Sequence, residues 1–210
     1  THVSAQPDSQ NQRKMIDQAS ELRKLVLQSV RQPVPHDGPA PRLLVVASGH
    51  RGVGVTTVAV TRAAALGENG VRVVVVDADV NHNDVATLSG LQKRASVEDW
   101  DGLHRDIHEV LQPGPTGIQI VPRLWQLGRV EDVSAAAQER LLRQLQTLGR
   151  HAELVIVDAG NSTHCFLQRC HAAADDVLLV TTDDVASVMD TYTQLKRSQT
   201  QVDAGHLHLV

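Results

Sequence analysis

From Arg42 onward, short aliphatic runs alternate with stretches of helical period. Residues 43–47 form a continuous aliphatic run, 56–67 carry apolar positions at helical spacing, and 71–76 form a second aliphatic run. Strand, turn, helix and strand in that order predict a βαβ unit. Asn69-Gly70 supplies a left-handed stop for the helix before the second strand. Further strands are predicted over 117–121, 153–157, 177–181 and 206–210, and helices over 103–111, 135–148, 164–174 and 185–197. Alternation on this scale predicts an α/β fold, a doubly wound and mainly parallel sheet with helices on both faces.

Ahead of this unit, residues 11–32 place Met15, Ile16, Ala19, Leu22, Leu25, Val26 and Val30 at spacings that predict an amphipathic helix. Pro33, Pro35, Pro39 and Pro41 follow, with Gly38 among them, a composition that makes a stiff extended linker. The expected organisation is an N-terminal helical arm over 1–32, a Pro-rich linker over 33–41 and the α/β domain over 42–210. A short helix with an apolar stripe and no domain of its own is expected to meet a partner, the alternative being that it packs back on its own sheet.

Composition changes this picture in a few places. Aromatic residues are 2% of the 210-residue chain against 41% hydrophobic, so the core must be built from Val, Leu, Ile and Ala, which suits buried parallel strands. A formal net charge of −4 gives no global pull toward nucleic acid, and no direct nucleic-acid partner is expected. Cys165 and Cys170 lie on one predicted helix and do not make a disulfide framework, a reduced, cytoplasmic pattern. The polar start has no signal-peptide core, and no apolar stretch is long enough to span a bilayer. Residues 207–210 read as a strand with nothing after it, so further elements are expected to follow.

The chemistry gathers where the first strand meets its helix, at Ser48-Gly49-His50-Arg51-Gly52-Val53-Gly54-Val55-Thr56-Thr57. A loop there aims backbone N–H groups and a helix N-terminus at an anion. Gly52 and Gly54 let the backbone wrap a phosphate, and Thr56 stands where the G-x-x-x-x-G-K-[ST] pattern places the hydroxyl that binds Mg²⁺. Position 55, where that pattern has lysine, is valine.

With His50, Arg51 and Val55 as its departures, this run resembles the deviant phosphate loop K-G-G-x-G-K-[ST]-[ST] of the MinD/ParA family of P-loop ATPases. The resemblance implies a site for ATP or ADP with Mg²⁺ formed by Gly49, His50, Arg51, Gly52, Val53, Gly54, Val55, Thr56 and Thr57. In that family a lysine at the position of Val55 contacts the terminal phosphates, and one at the position of His50 reaches across a nucleotide-dependent homodimer. Loss of one preorganised donor typically costs roughly 3–4 kcal/mol in a transition state, so loss of both amines is expected to cripple hydrolysis unless Arg51 or His50 substitutes. Weak nucleotide binding and none at all both stay open.

Val76-Asp77-Ala78-Asp79 is similar to the family's D-x-D switch segment, which implies that Asp79 orients the attacking water near Mg²⁺. Leu154-Val155-Ile156-Val157-Asp158 reads as a Walker B strand whose acid holds the metal's water shell. Asp79 and Asp158 are thus the candidate catalytic residues, and with Thr56 the candidate metal set. The family's glycine four residues beyond this acid is Ser162 here, with Gly160 earlier. Thr181-Thr182-Asp183-Asp184 and Ser187-Val188-Met189-Asp190 resemble the family's T-T-x-P-x…S-x-x-D stretch without its proline. The resemblance covers 43–210.

On the arm, Asp17-Gln18-Ala19-Ser20-Glu21-Leu22-Arg23 resembles the D-Q-A-x-x-L-R motif of the FlhG branch (FleN, YlxH), the flagellar-number regulators. By that resemblance the helix docks on an FlhF-type, signal-recognition-like GTPase, and Gln18 acts in trans to position its attacking water. The family's base-binding and membrane-targeting elements come after the position of Val210, so the expected location is cytoplasmic, peripheral to the inner membrane only through a later segment. Three readings follow: an FlhG-like regulator with ATP turnover weakened or lost, an active ATPase that uses Arg51, or a scaffold in another MinD-related positioning, division or pilus system.

His104 with His108, and His164, Cys165, Cys170 and His171, have some zinc-like spacing. Positions 164 and 171 lie two helical turns, roughly 10 Å, apart, and exposed surface histidines are the expected explanation for both groups. Trp100 and Trp125 are expected to anchor local packing.

Overall fold

The computed structural model describes residues 39–79, 82, 84–91, 106–122, 134–163, 165–198 and 206–210. The predicted arm with Gln18, the linker up to Gly38, Trp100, His104, Trp125 and His164 lie outside the described residues.

Strand β1 (Arg42–Ala47) runs through the phosphate loop into helix α1 (Val55–Glu68) and on to β2 (Val73–Asp77). After α1 the N–H groups of Gly70 and Val71 return to the carbonyls of Gly67 and Leu66, with Gly70 at φ 79°. A short helix α2 (Asp84–Leu88) follows, then β3 (Gln112–Pro113), β4 (Gln119–Val121) and α3 (Ala135–Gln146). The remaining elements are β5 (Leu154–Asp158), α4 (Cys165–Ala173), β6 (Asp176–Leu179), α5 (Val185–Ser198) and β7 (Leu207–Leu209).

Among the described residues the sheet has the order β3-β4-β2-β5-β1-β6-β7, parallel throughout except for the β3–β4 edge pair. Alternate side chains of each strand go to opposite faces, which explains why the valine-rich runs are apolar at every position. Val45, Val74, Val76, Val155 and Val157 pack under α3 and α4 with Leu141, Leu145, Phe166 and Leu167. Val46, Val73, Val75 and Ile156 face the other way, against Ala59, Val60 and Ala63 of α1. The two-sided parallel sheet predicted from the alternation of elements is therefore the observed architecture.

Two expectations are corrected. The helix predicted over 103–111 is, in its described part, a single 3₁₀ turn at Ile107–Glu109. Asp106 caps that turn by accepting from the N–H of His108 at 3.1 Å. Ile107 is its only buried residue, and Pro113 follows at once on the antiparallel edge strand, so no helical apolar face exists to sustain further turns. His171, expected as an exposed surface histidine, is 4% exposed. Burial pushes its imidazole down to about 4, so it sits in the interior as a neutral ring. Its neighbour Cys170 packs into the core under the sheet, whereas Cys165 on the same helix is exposed.

Candidate functional site

The carboxyl ends of β1, β2 and β5 meet at a cleft of about 490 Å³ that includes His50, Arg51, Gly54, Val55, Thr56, Asp79, His82 and Gly160 in its walls. Open α/β sheets bind ligands at this end of their strands. Gly52 and Gly54, at φ 75° and 94°, take left-handed conformations that turn the loop around the cleft. Gly54 caps α1 and no side chain does, so the first-turn N–H groups are left to an anion.

Position 49 is fixed by a close approach. A Cβ built on Gly49 would lie 2.3 Å from the carbonyl carbon and oxygen of Asp190 and 2.5 Å from the N of Thr191. The loop therefore lies directly on the backbone of α5. The residues resembling the S-x-x-D stretch organise that helix end. Asp184 accepts from the N–H of Ser187 at 2.9 Å, the Ser187 hydroxyl accepts from the N–H of Thr182 at 3.1 Å, and Asp190 holds His50 Nδ1 at 2.7 Å. His50 is thus engaged with α5.

Two strands ending in aspartate lie side by side, with Asp77 paired in register with Asp158. Neither Asp77 oxygen has a hydrogen-bond partner of normal geometry. Burial above all, then the charge of Asp158, pushes its carboxyl up to about 8. Asp158 is raised to about 6, chiefly by burial, with the Thr56 hydroxyl and the N–H of Gly160 working against that rise. Gly160 N–H donates to Asp158 Oδ1 at 3.1 Å, while Oδ2 is left without a partner. Asp79 is 7% exposed and receives His82 Nδ1 at 3.1 Å on its Oδ2. A Cβ on Gly160 would come within 2.5 Å of that same oxygen, so a glycine beside Asp79 is what lets the β5 loop close over it.

These donors fit Mg²⁺. Thr56, Asp158 and Asp77 present hard oxygens, three of them buried and unpartnered carboxylate oxygens, and Mg²⁺ takes one or two carboxylates with water and ligand phosphates completing its shell. Among the described residues no group of three or more His, Cys, Asp or Glu side chains could hold a metal by itself.

The structure brings the loop residues Gly49–Thr57, Asp79 and Asp158 into one region and adds members to which the sequence analysis assigned no role. Asp77, His82, Asp84 and Asn161 line or underlie the cleft. Asp77 was readable in principle, because V-V-V-V-D and L-V-I-V-D are matching parallel strands whose last residues must meet. Val55, by contrast, is 7% exposed and packs with Val46, Ala59 and Val60, presenting a branched aliphatic surface where the phosphate-loop pattern places an amine.

Comparison with known proteins agrees with this geometry. A family model described as an AAA domain matches residues 42–203. The antiactivator FleN of Pseudomonas aeruginosa is 30% identical over 159 residues, 74% of this chain and 55% of FleN. The septum site-determining protein MinD of Bacillus subtilis is 26% identical, covering 70% of this chain and 55% of its own length. The chain thus spans about half the length of these curated relatives. In fold, the MinD of Pyrococcus horikoshii, solved in complex with Mg-ADP, superposes with a TM-score of 0.61 at 18% identity, over 80% of this chain and 68% of that one.

Proposed function

The chain belongs to the AAA-domain family, as a P-loop protein of the MinD/ParA type in the branch that holds FleN, and on that premise we propose that it is a nucleotide-responsive regulator whose hold on phosphate is weakened. One observation carries this reading: an intact cleft of glycine turns, Thr56 and strand-end carboxylates is walled by Val55 where an amine belongs. Thr56 and Asp158 would hold Mg²⁺ with its water, Asp77 would face it from β2, and Asp79 would position water beside the terminal phosphate. The ion, when bound, would neutralise phosphate charge.

Calorimetric titration of Mg-ADP tests the reading. We expect binding in the range of tens of micromolar to millimolar, and no heat at several millimolar nucleotide would overturn it. FleN's likeness and the motif at residues 17–23 support a finer proposal, that the chain takes part in control of flagellar number through an arm acting on an FlhF-type GTPase. Gln18→Ala should then lower stimulation of such a GTPase by tenfold or more, on the order of what one water-positioning donor contributes, while leaving nucleotide affinity as it was. Equal stimulation by the variant would remove the arm from the mechanism.

The homodimer expected from the family, and any contact with a membrane surface, remain part of this proposal; no helix among the described residues is long and apolar enough to cross a membrane.

A further inference from the structure

We propose that His82 is a positioning residue that presents the Arg51 guanidinium to the phosphates of a bound nucleotide, with Asp79 fixing the imidazole in the tautomer this requires. The inference rests on the nucleotide-binding reading above and names the cation of that site. Arg51 Nη2 lies 2.7 Å from His82 Nε2, and His82 Nδ1 lies 3.1 Å from Asp79 Oδ2. A guanidinium has only donors, so Nε2 must accept. The ring proton then sits on Nδ1, where it donates to the Asp79 carboxylate. One neutral tautomer satisfies both contacts at once.

The far end of this relay is held firmly. Asp79 is buried at the end of the β2 segment, and its Oδ2 lies against Gly160 so closely that a Cβ there would come within 2.5 Å. Arg51 itself is exposed on the loop, and a long side chain in that setting loses much rotamer freedom when it settles on one ligand. Contact with His82 spends one N–H and leaves the rest of the fork for a phosphate, which guanidinium meets in two-pronged fashion. The other basic residues lining the cleft are imidazoles, and His50 is turned to Asp190 at 2.7 Å. Among the described residues of the cleft wall, Arg51 is therefore the side chain with a permanent positive charge.

The test is a set of dissociation constants for Mg-ADP and for magnesium pyrophosphate, measured by calorimetry on the whole chain and on four variants. Arg51→Ala should weaken binding of both probes about tenfold to a hundredfold, in line with loss of a charge-assisted hydrogen bond. His82→Ala should weaken it about three- to tenfold. His82→Gln should restore affinity to within about twofold of the parent, because its carboxamide can accept from Arg51 and donate to Asp79. In an Arg51→Ala background, His82→Ala should have no further effect. The relay is overturned if Arg51→Ala binds like the parent, if His82→Ala is silent, or if His82→Ala costs the same with and without Arg51. Binding that ignores Arg51 removes the relay and leaves the nucleotide reading standing, whereas a parent that binds neither probe removes both.

Discussion

Lysine at position 55 should tighten Mg-ADP binding by roughly tenfold to a hundredfold, the equivalent of one charge-assisted hydrogen bond at about 1.5–3 kcal/mol. Val55 opens α1, lines the cleft and is 7% exposed against the α1 face of the core. A lysine can lay its aliphatic stem where the valine packs and send its amine into the cleft. The ligand-free protein should be less stable for it, because a cation at the positive end of a helix typically costs about 0.3–1 kcal/mol. The pairing of a lower ligand-free unfolding midpoint with a larger rise on adding Mg-ADP is the signature to look for. An unchanged dissociation constant would mean that the loop backbone, and not only the missing charge, limits nucleotide binding.

Asp77→Asn should stabilise the ligand-free protein most at alkaline pH and weaken its response to Mg²⁺. Asp77 is 1% exposed, and its carboxyl is raised from 3.8 to about 8 by burial and by Asp158. Between those values the folded chain keeps a proton on Asp77 that the unfolded chain has released, so stability rises as pH falls through the window. Each unit corresponds to about 1.4 kcal/mol at most for one such group. Asp158 titrates in the folded state near 6, and His171, lowered from 6.5 to about 4, contributes a slope of opposite sign that ends near pH 7, so the interval from pH 7 to 8 reports chiefly on Asp77. Denaturant unfolding of the ligand-free chain at pH 7 and 8 should show stability falling with pH in the parent and nearly flat in Asp77→Asn. The two should converge toward pH 4. A parent with no slope in that interval would place Asp77 in a wetter setting than its burial implies. Mg-ADP affinity should move the opposite way, since the same substitution removes a carboxylate that would face the proposed Mg²⁺, and this opposition between stability and binding is common where function needs buried charge.

Much of this was legible in the sequence because the signals are periodic. Seven valines and isoleucines along β2 and β5 could only be buried on both faces, and that alone implies helices above and below a parallel sheet. The phosphate loop was legible because its glycines and Thr56 have a fixed spacing between a strand and a helix. The β3–β4 edge was not, since two residues ending in Pro113 carry no period, and the apolar positions near Ile107 mimic helical spacing over too short a stretch to decide. His171 was misjudged because a polar residue on a helix says nothing of which side the sheet covers. The contacts of His50 with Asp190 and of Arg51 with His82 join residues 140 and 31 positions apart, and nothing in local patterning encodes them.

The absence of a side chain at Gly49 has a mechanical meaning. With the loop's backbone seated on the main chain of α5 at Asp190 and Thr191, there is no layer of side chains between them to absorb sliding. The opposite side of α5 exposes Val185, Val188, Met189 and Tyr192 to the surroundings. Pressure applied to that outer surface would be passed from backbone to backbone, as a push on one end of a lever, and a tilt of the helix would carry the loop after β1 with it.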